Sequence, residues 1–315
     1  MAMGDKTAHA LWKDAVEDSR REAAKDQSSK SSFSGMVNGE KAQISPRKTN
    51  PRNADETTRA NEGLYFRQLL PGRDFAKPEN ATTPIESLLF NVAVKMQNCV
   101  YLVGDTASRT CVCVDGCWDV ASVEEAARKD GMEIVAVLAS HNHFDHIGGT
   151  PPAPFEGLGV KIPGLFELLA EDPNRVGYVH EVEVTEAVER IGLEDAERLL
   201  SVRDGSKIKI GEKVVLEVIH TPGHTRGSCC VLVTLGGADE MLLSGDTIFP
   251  GSHGRCDLEE SEPESLFSSD GVRRVAELQD DLRIYPGHTY GGRHTTVGRE
   301  REAGMLAQVR PRSNI

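Results

Sequence analysis

The chain of 315 residues has no apolar run long enough to cross a membrane, and its first twenty residues, which include Lys6, Lys13, Asp14, Glu17, Asp18 and Arg20, hold no apolar core for a secretory signal. A cytoplasmic protein that meets no membrane is the expectation. Positive charge is also in short supply, with 36 Lys and Arg against 49 Asp and Glu and a formal net charge of -13. Residues 1–60 hold eleven basic and nine acidic residues, leaving 25 against 40 in the rest, so the acidity belongs to the main body of the chain. Such a body repels phosphate backbones, and nucleic acid is not an expected partner. Cysteines are few and odd in number, at seven. Cys99, Cys111, Cys113, Cys229 and Cys230 fall in apolar, strand-like runs, which reads as reduced, buried thiols rather than a disulfide framework. Cys111, Cys113 and Cys117 could be grouped as a metal trio, but Cys111-Val112-Cys113-Val114 is the alternation a strand produces by itself. Residues 1–60 lack apolar periodicity, and Ser28-Ser29-Lys30-Ser31-Ser32 cannot build a core. They read as a disordered polar extension with a short charged helix around residues 8–25, too acidic for an organellar transit peptide. One folded domain over residues 61–315 is expected to follow, ordered from about Tyr65, and 38% apolar content suffices for its core.

Against these absences stands a concentration of imidazole. Ser140-His141-Asn142-His143-Phe144-Asp145-His146-Ile147-Gly148-Gly149 follows the apolar run Ile134-Val135-Ala136-Val137-Leu138-Ala139, which reads as a buried strand. Gathering three imidazoles and a carboxylate at a strand end is costly unless something pairs them, and a divalent metal suits both ligand types. One residue between His141 and His143 lets both turn to the same side. Asp145 and His146, being adjacent, are expected to point apart, which suggests two ions side by side. A structural zinc site or a solvated cluster is the plainer reading. Further ligand types follow at later strand ends: His224 in Thr221-Pro222-Gly223-His224-Thr225, Asp246 in Leu243-Ser244-Gly245-Asp246-Thr247, and His288 in Tyr285-Pro286-Gly287-His288-Thr289-Tyr290.

With these motifs the chain, from about Leu64 to His294, resembles the metallo-β-lactamase superfamily, most of all its glyoxalase II (hydroxyacylglutathione hydrolase) and persulfide dioxygenase branch. The resemblance implies an α/β fold, an αββα sandwich with a dinuclear metal site at the sheet edge. It implies that His141, His143 and His224 hold one ion, Asp145, His146 and His288 the other, and that Asp246 bridges them. The ions would be Zn2+, with iron or manganese as other candidates. A water shared between two cations loses a proton near neutral pH, and the resulting metal-bound hydroxide would attack a thioester or related ester such as an acylglutathione, with Asp145 orienting it and Asp246 as the other catalytic carboxylate. Gly254-Arg255 matches the loop where glyoxalase II-like enzymes place a cation for glutathione, and Tyr290 matches the tyrosine after their last ligand, so Arg255 and Tyr290 are the expected substrate contacts; a surface arginine is the alternative for Arg255. Only 27 residues follow His288, where glyoxalase II enzymes carry a helical region, and Gly254-Arg255-Cys256-Asp257 is closer to the Gly-Arg-Thr-Asp of persulfide dioxygenases. Those use a single Fe2+ held by residues matching His141, His224 and Asp246. Mono-iron oxidation of glutathione persulfide is therefore the alternative function, ahead of a lactonase or a β-lactamase-like hydrolase.

The remaining expectations concern the frame. Strands are read at Asn98-Cys99-Val100-Tyr101-Leu102-Val103 and Thr110-Cys111-Val112-Cys113-Val114-Asp115, then a helix Val120–Lys129. Residues 149–211 are longer than a connection requires, with a helical reading for 184–200, and form either a substrate wall over the site or a packing insert. Residues 263–278 read as one amphipathic helix. His220 is read as a hydrogen-bonded histidine rather than a ligand's neighbour, and His180, His253 and His294 are expected at solvent or loops.

Overall fold

The computed structural model describes residues 58–61, 63–152, 159–192 and 196–309. The expected charged helix and nearly all of the polar extension lie outside the described residues. Thr58–Asn61 (β1) pairs antiparallel with Leu64–Leu69 (β2), so pairing begins upstream of Tyr65. Helix α1, Pro84–Met96, opens on a capping box of Thr83 and Glu86 with proline in its first turn, and ends where Gln97 turns left-handed at φ 58°. Strands Val100–Asp105 (β3) and Thr110–Val114 (β4), helix Val120–Lys129 (α2), capped by Asp119, and strand Glu133–Leu138 (β5) follow as the sequence indicated. One helical turn, Phe144–Ile147 (α3), comes next.

The stretch 149–211 contributes helix Leu165–Glu171 (α4), strand Val176–His180 (β6), helix Val184–Ile191 (α5) and strand Leu199–Val202 (β7). It is mainly a packing insert, because β6 and β7 extend the first sheet as parallel strands. The single helix expected over 184–200 is broken, since Gly192 adopts φ 70° and closes α5 in the left-handed conformation. Strands Lys207–Ile210 (β8), Val214–His220 (β9), Cys229–Leu235 (β10), Ala238–Gly245 (β11), Arg283–Pro286 (β12) and Thr295–Thr296 (β13) form the second sheet. Residues 263–278 are not one helix either. Ser269 sits at φ -65°, ψ 150°, its side chain caps Val272 N, and the segment splits into Pro263–Leu266 (α6) and Asp270–Ala276 (α7). A serine that can accept from the backbone two or three residues on competes with helix continuation and starts a new helix instead. Helix Val297–Ala303 (α8) completes the fold.

The sheets run β1-β2-β3-β4-β5-β6-β7 and β13-β12-β11-β10-β9-β8. Side chains alternate across each strand, and the core divides accordingly into three layers. Val100, Leu102, Cys111 and Cys113 face α1 and α2 through Leu89, Val92 and Val123. Their neighbours Tyr101, Val103, Val112 and Val114 face the other sheet through Leu216, Val218, Val231 and Leu243. Beyond it, Ile219, Cys230, Leu242 and Ile284 meet Val272 and Val275 of α7. Each such side chain contributes about 1.5–3 kcal/mol by burial. The architecture is the expected αββα sandwich. Among the described residues no helix is long and apolar enough to cross a membrane. All seven cysteines are free, and burial pushes Cys99 up to about 11 and Cys111 to about 12, the condition of inert core thiols.

Candidate metal centre

Four strands end at one edge of the sandwich, and their loops carry all seven residues singled out by the sequence. His141 and His143 follow β5, Asp145 and His146 lie on α3, and His224, Asp246 and His288 follow β9, β11 and β12. The structure brings these seven together. His141 Nε2 lies 3.1 Å from His143 Nδ1, which lies 2.9 Å from His224 Nε2. His146 Nε2 is 3.2 Å from His288 Nε2 and 3.6 Å from Asp145 Oδ2. The expected divergence of Asp145 and His146 is not found: neighbours on a helical turn differ by about 100° rather than the 180° of a strand, and the imidazole reaches back over the carboxylate. Asp246 stands between the groups, with Oδ2 3.4 Å from both His224 Nε2 and His288 Nε2 and Oδ1 3.5 Å from His146 Nε2.

The outer nitrogens fix the tautomers. His224 Nδ1 donates to the Arg255 carbonyl (2.6 Å) and His288 Nδ1 to the Met96 carbonyl (2.6 Å). The latter is one of the last carbonyls of α1, which carry no helical partner and the negative end of the dipole. His146 Nδ1 donates to Asp115 Oδ2 (3.0 Å) and His143 Nε2 to Glu260 Oε1 (2.9 Å). Ser140 Oγ donates to Asp115 Oδ2 (2.7 Å), so His141 Nδ1 must donate to Ser140 Oγ (3.0 Å). Each inner nitrogen is therefore left with a lone pair. Five lone pairs and two carboxylates converge, acceptors facing acceptors.

That arrangement fits divalent ions. Ligands at about 2.0–2.1 Å from a tetrahedral zinc-class ion are about 3.3–3.4 Å from one another, and the observed edges scatter about that value. Three sets of three residues could each hold an ion: His141, His143 and His224; His141, His146 and Asp246; Asp145, His146 and His288. None includes a cysteine among the described residues. Asp246 Oδ1 is buried and accepts no hydrogen bond, as an oxygen meant for a cation would be. Burial and the neighbouring imidazoles push His141 well down, and burial with His143 brings His224 to about 4, so both are neutral imidazoles, the form in which histidine can bind a metal. On the other side burial is outweighed. The charges of Asp246, Asp145 and Asp115 raise His146, while His288 and His146 hold the Asp246 carboxyl below the usual range. An environment that favours positive charge at His146 favours a bound cation in the same place.

Several residues that hold the site were not singled out by the sequence. Asp115 accepts from Ser140 N, Ser140 Oγ and His146 Nδ1. Asn98, fixed by Trp118 Nε1 (3.1 Å), donates to the Asp145 carbonyl (2.9 Å) and to Asp145 Oδ2 (3.1 Å). Glycine is required at 287, where a Cβ would overlap Asp246 Oδ1 and come within 2.9 Å of His146 Cε1. Of the expected substrate contacts, Tyr290 stacks on His288 with ring centroids 4.7 Å apart and planes 4° from parallel. Arg255 forks its guanidinium onto Asp257, at 2.6 and 2.9 Å. His220 lies outside the cluster, donating from Nε2 to the Arg226 carbonyl (2.8 Å) and stacking on His180 at 4.0 Å. His180 is buried, contrary to its expected place at the surface, because β6 sits inside the first sheet.

Comparison with known proteins adds five findings. A family model described as the metallo-beta-lactamase superfamily matches residues 93–288. The chain is 28% identical over 195 residues to the protein named "Probable polyketide biosynthesis zinc-dependent hydrolase PksB" of Bacillus subtilis (strain 168), covering 62% of this chain and 74% of that one. It is 31% identical over 200 residues to a hydroxyacylglutathione hydrolase of Alkalilimnicola ehrlichii, but spans only 62% of that relative's length. Among solved structures, a metallo-beta-lactamase from Staphylococcus aureus subsp. aureus COL superposes with TM-score 0.56 at 22% identity over 78% of this chain and 64% of that one, and ETHE1 from Myxococcus xanthus with 0.51 at 23% over 67% and 81%. At such identities the likeness speaks to the fold.

Proposed function

Because the chain belongs to the metallo-beta-lactamase superfamily, we propose that it is a metal-dependent hydrolase of the glyoxalase II type, opening a thioester or related ester such as an acylglutathione. The observation that carries this reading is Asp246, which lies against His224 of one histidine group through Oδ2 and against both histidines of the other, His288 through Oδ2 and His146 through Oδ1. A carboxylate so placed suits two ions better than one. The residues that would hold them are His141, His143 and His224, then Asp145, His146 and His288, with Asp246 between. Bound divalent ions supply acidification of water and polarisation of a carbonyl.

The chain's own residues do the rest. Asp145, held at Oδ2 by Asn98 and kept ionised by His146 and His288 despite its burial, is the acceptor that orients the attacking water. Asn98 fixes the direction of those lone pairs, and Trp118 fixes Asn98. Tyr290 covers His288 as part of the cleft wall, and Arg255 stands on the loop that seats His224. A thiol of ordinary pKa, about 8.5, leaves as thiolate without a dedicated acid. No cysteine nucleophile is needed, in keeping with Cys117, which burial pushes well above its usual value and which donates to the Asp145 carbonyl (2.6 Å).

Metal analysis of the full chain, with assay of S-lactoylglutathione hydrolysis, tests the reading. About two zinc-class ions per chain together with turnover are expected. One iron per chain, with oxygen uptake on glutathione persulfide and no hydrolysis, would replace it with the dioxygenase reading built on His141, His224 and Asp246.

A further inference from the structure

Helix α5 brings to the rim of the site a side chain that takes no part in the histidine and carboxylate cluster. Arg190 lies in its last turn. The Arg190 carbonyl accepts from Thr150 N (3.0 Å), and a Cβ on Gly149 would overlap that same carbonyl, so the helix end rests directly on the glycines that close the histidine motif. The half-buried guanidinium lies within electrostatic reach of the carboxylates of Glu260, Asp145 and Glu183, whose charges offset part of the cost of its burial. Each of these already takes another donor, although Glu183 Oε2 is itself buried and without a partner among the described residues. Glu260 Oε1 holds His143 Nε2 (2.9 Å), Asp145 Oδ2 holds Asn98 Nδ2 (3.1 Å), and Glu183 Oε1 takes Gly227 N (2.9 Å). Arg190 Nε is buried and meets no acceptor among the described residues. A desolvated guanidinium donor without an acceptor is unfavourable, and the group presents a planar fork matched to a carboxylate. Arg255, the other cation expected at this rim, already forks onto Asp257.

We propose that Arg190 is the anion-binding residue of the cleft, taking a carboxylate carried by the substrate on the part remote from the scissile carbonyl. The inference rests on the thioester reading for its substrate class. It accounts for a cation kept beside a cluster of acids in a chain whose net charge is -13. It also assigns to the insert between 149 and 211 a part in recognition beyond extending the sheet. Such an anchor acts alike on ground and transition states, so it bears on binding rather than on the chemical step.

The test is calorimetric binding to the zinc-loaded full chain of S-methylglutathione, which has no free thiol to seek the metal, and of its diethyl ester, whose carboxylates are masked. Wild type should bind the acid about ten- to a hundredfold more tightly than the ester, the size of a charged hydrogen-bonded pair. Arg190→Gln should erase that preference with zinc content unchanged, and Arg190→Lys should recover part of it. Equal affinity of wild type for acid and ester, absence of binding, a preference that survives in Arg190→Gln, or loss of zinc from that variant would each overturn the proposal; the last would make Arg190 a counterion for the surrounding acids. Hydrolysis of S-lactoylglutathione by wild type is scored separately. Binding through Arg190 without turnover would sink the thioesterase reading and leave the anion site standing.

Discussion

Replacing Asp115 by asparagine exchanges one oxygen for an NH2 group and should disable half of the candidate metal centre. Asp115 is 3% exposed and takes three donors: Ser140 N on Oδ1, and Ser140 Oγ and His146 Nδ1 on Oδ2. An amide has one oxygen. If that oxygen stays on Ser140 N, the new NH2 faces His146 Nδ1-H and Ser140 Oγ-H, and donors oppose donors. His146 can relieve the conflict only by moving its proton to Nε2, the nitrogen that lies 3.2 Å from His288 Nε2 inside the cluster, and a lone pair is lost there. If the amide turns over instead, Ser140 N is the donor left unmet. Either way one buried donor goes unsatisfied, at a cost of about 1–3 kcal/mol, or about 2–4 °C of Tm per kcal/mol in a domain of this size. Losing the outer partner of a metal-ligating histidine weakens binding about 10–100-fold. Zinc titration against a chromophoric chelator, with thermal melts of loaded and stripped protein, should show one binding step of normal affinity and one weakened by that factor. Two steps of wild-type affinity would refute the reasoning, because they would mean that Asp115 does not set the His146 tautomer.

Further outcomes follow from the same geometry. Asp246→Ala removes the carboxylate that stands between the two histidine groups, so metal content should fall for both ions and turnover by about two orders of magnitude or more while circular dichroism keeps its native shape; full metal loading would rule out the bridge. Gly287→Ala drives a methyl group against Asp246 Oδ1 and His146, and inductively coupled plasma analysis should find the folded variant depleted of metal. Glu217 pairs with Arg274 and Lys207 rather than with the site. Burial raises its pKa, but Arg274 and Lys207 outweigh burial and lower it, so its contribution to stability is present above its unfolded value of about 4.3 and drains away as the pH falls through the lower folded value. Melting curves of wild type and Glu217→Gln should accordingly differ at neutral pH and converge in acid, and a gap that widened in acid would contradict the sign.

The centre was legible because its motifs are local and repetitive in kind. Histidines and an aspartate recur just after apolar runs, beside glycines that permit close approach, and the fold follows once those runs are read as strands. What could not be read was whatever depends on a partner distant in sequence. Asp115 is one carboxylate at a strand end, Asn98 one amide before a strand, and Glu260 one acid within Leu258-Glu259-Glu260-Ser261-Glu262; no spacing marks any of them. The Met96 carbonyl that receives His288 has no sequence signature at all, since every helix ends in unpaired carbonyls. Residues 184–200 and 263–278 carried helical periodicity across a break because a left-handed glycine and a capping serine weigh little beside the apolar pattern around them. Asp145 and His146 were set apart by strand logic in a segment that is one turn of helix.

The carbonyl of Met96 belongs to a wider seam. Cys99 N donates to the Gly287 carbonyl (2.7 Å), Thr289 N to Gln97 (3.0 Å) and Cys229 N to Ser140 (2.9 Å), so main-chain bonds cross from one sheet to the other beside the ligand loops. The two leaves of the sandwich are laced together at the edge where the ions would sit. Prising the leaves apart there would pull His288 away from His146, and an ion held between them would resist the parting in proportion to its affinity. The amides of Cys99, Thr289 and Cys229 thus serve as gauges of occupancy. Their exchange with deuterium should slow as metal is added and quicken under a chelator, while amides at the far end of β10 keep their pace.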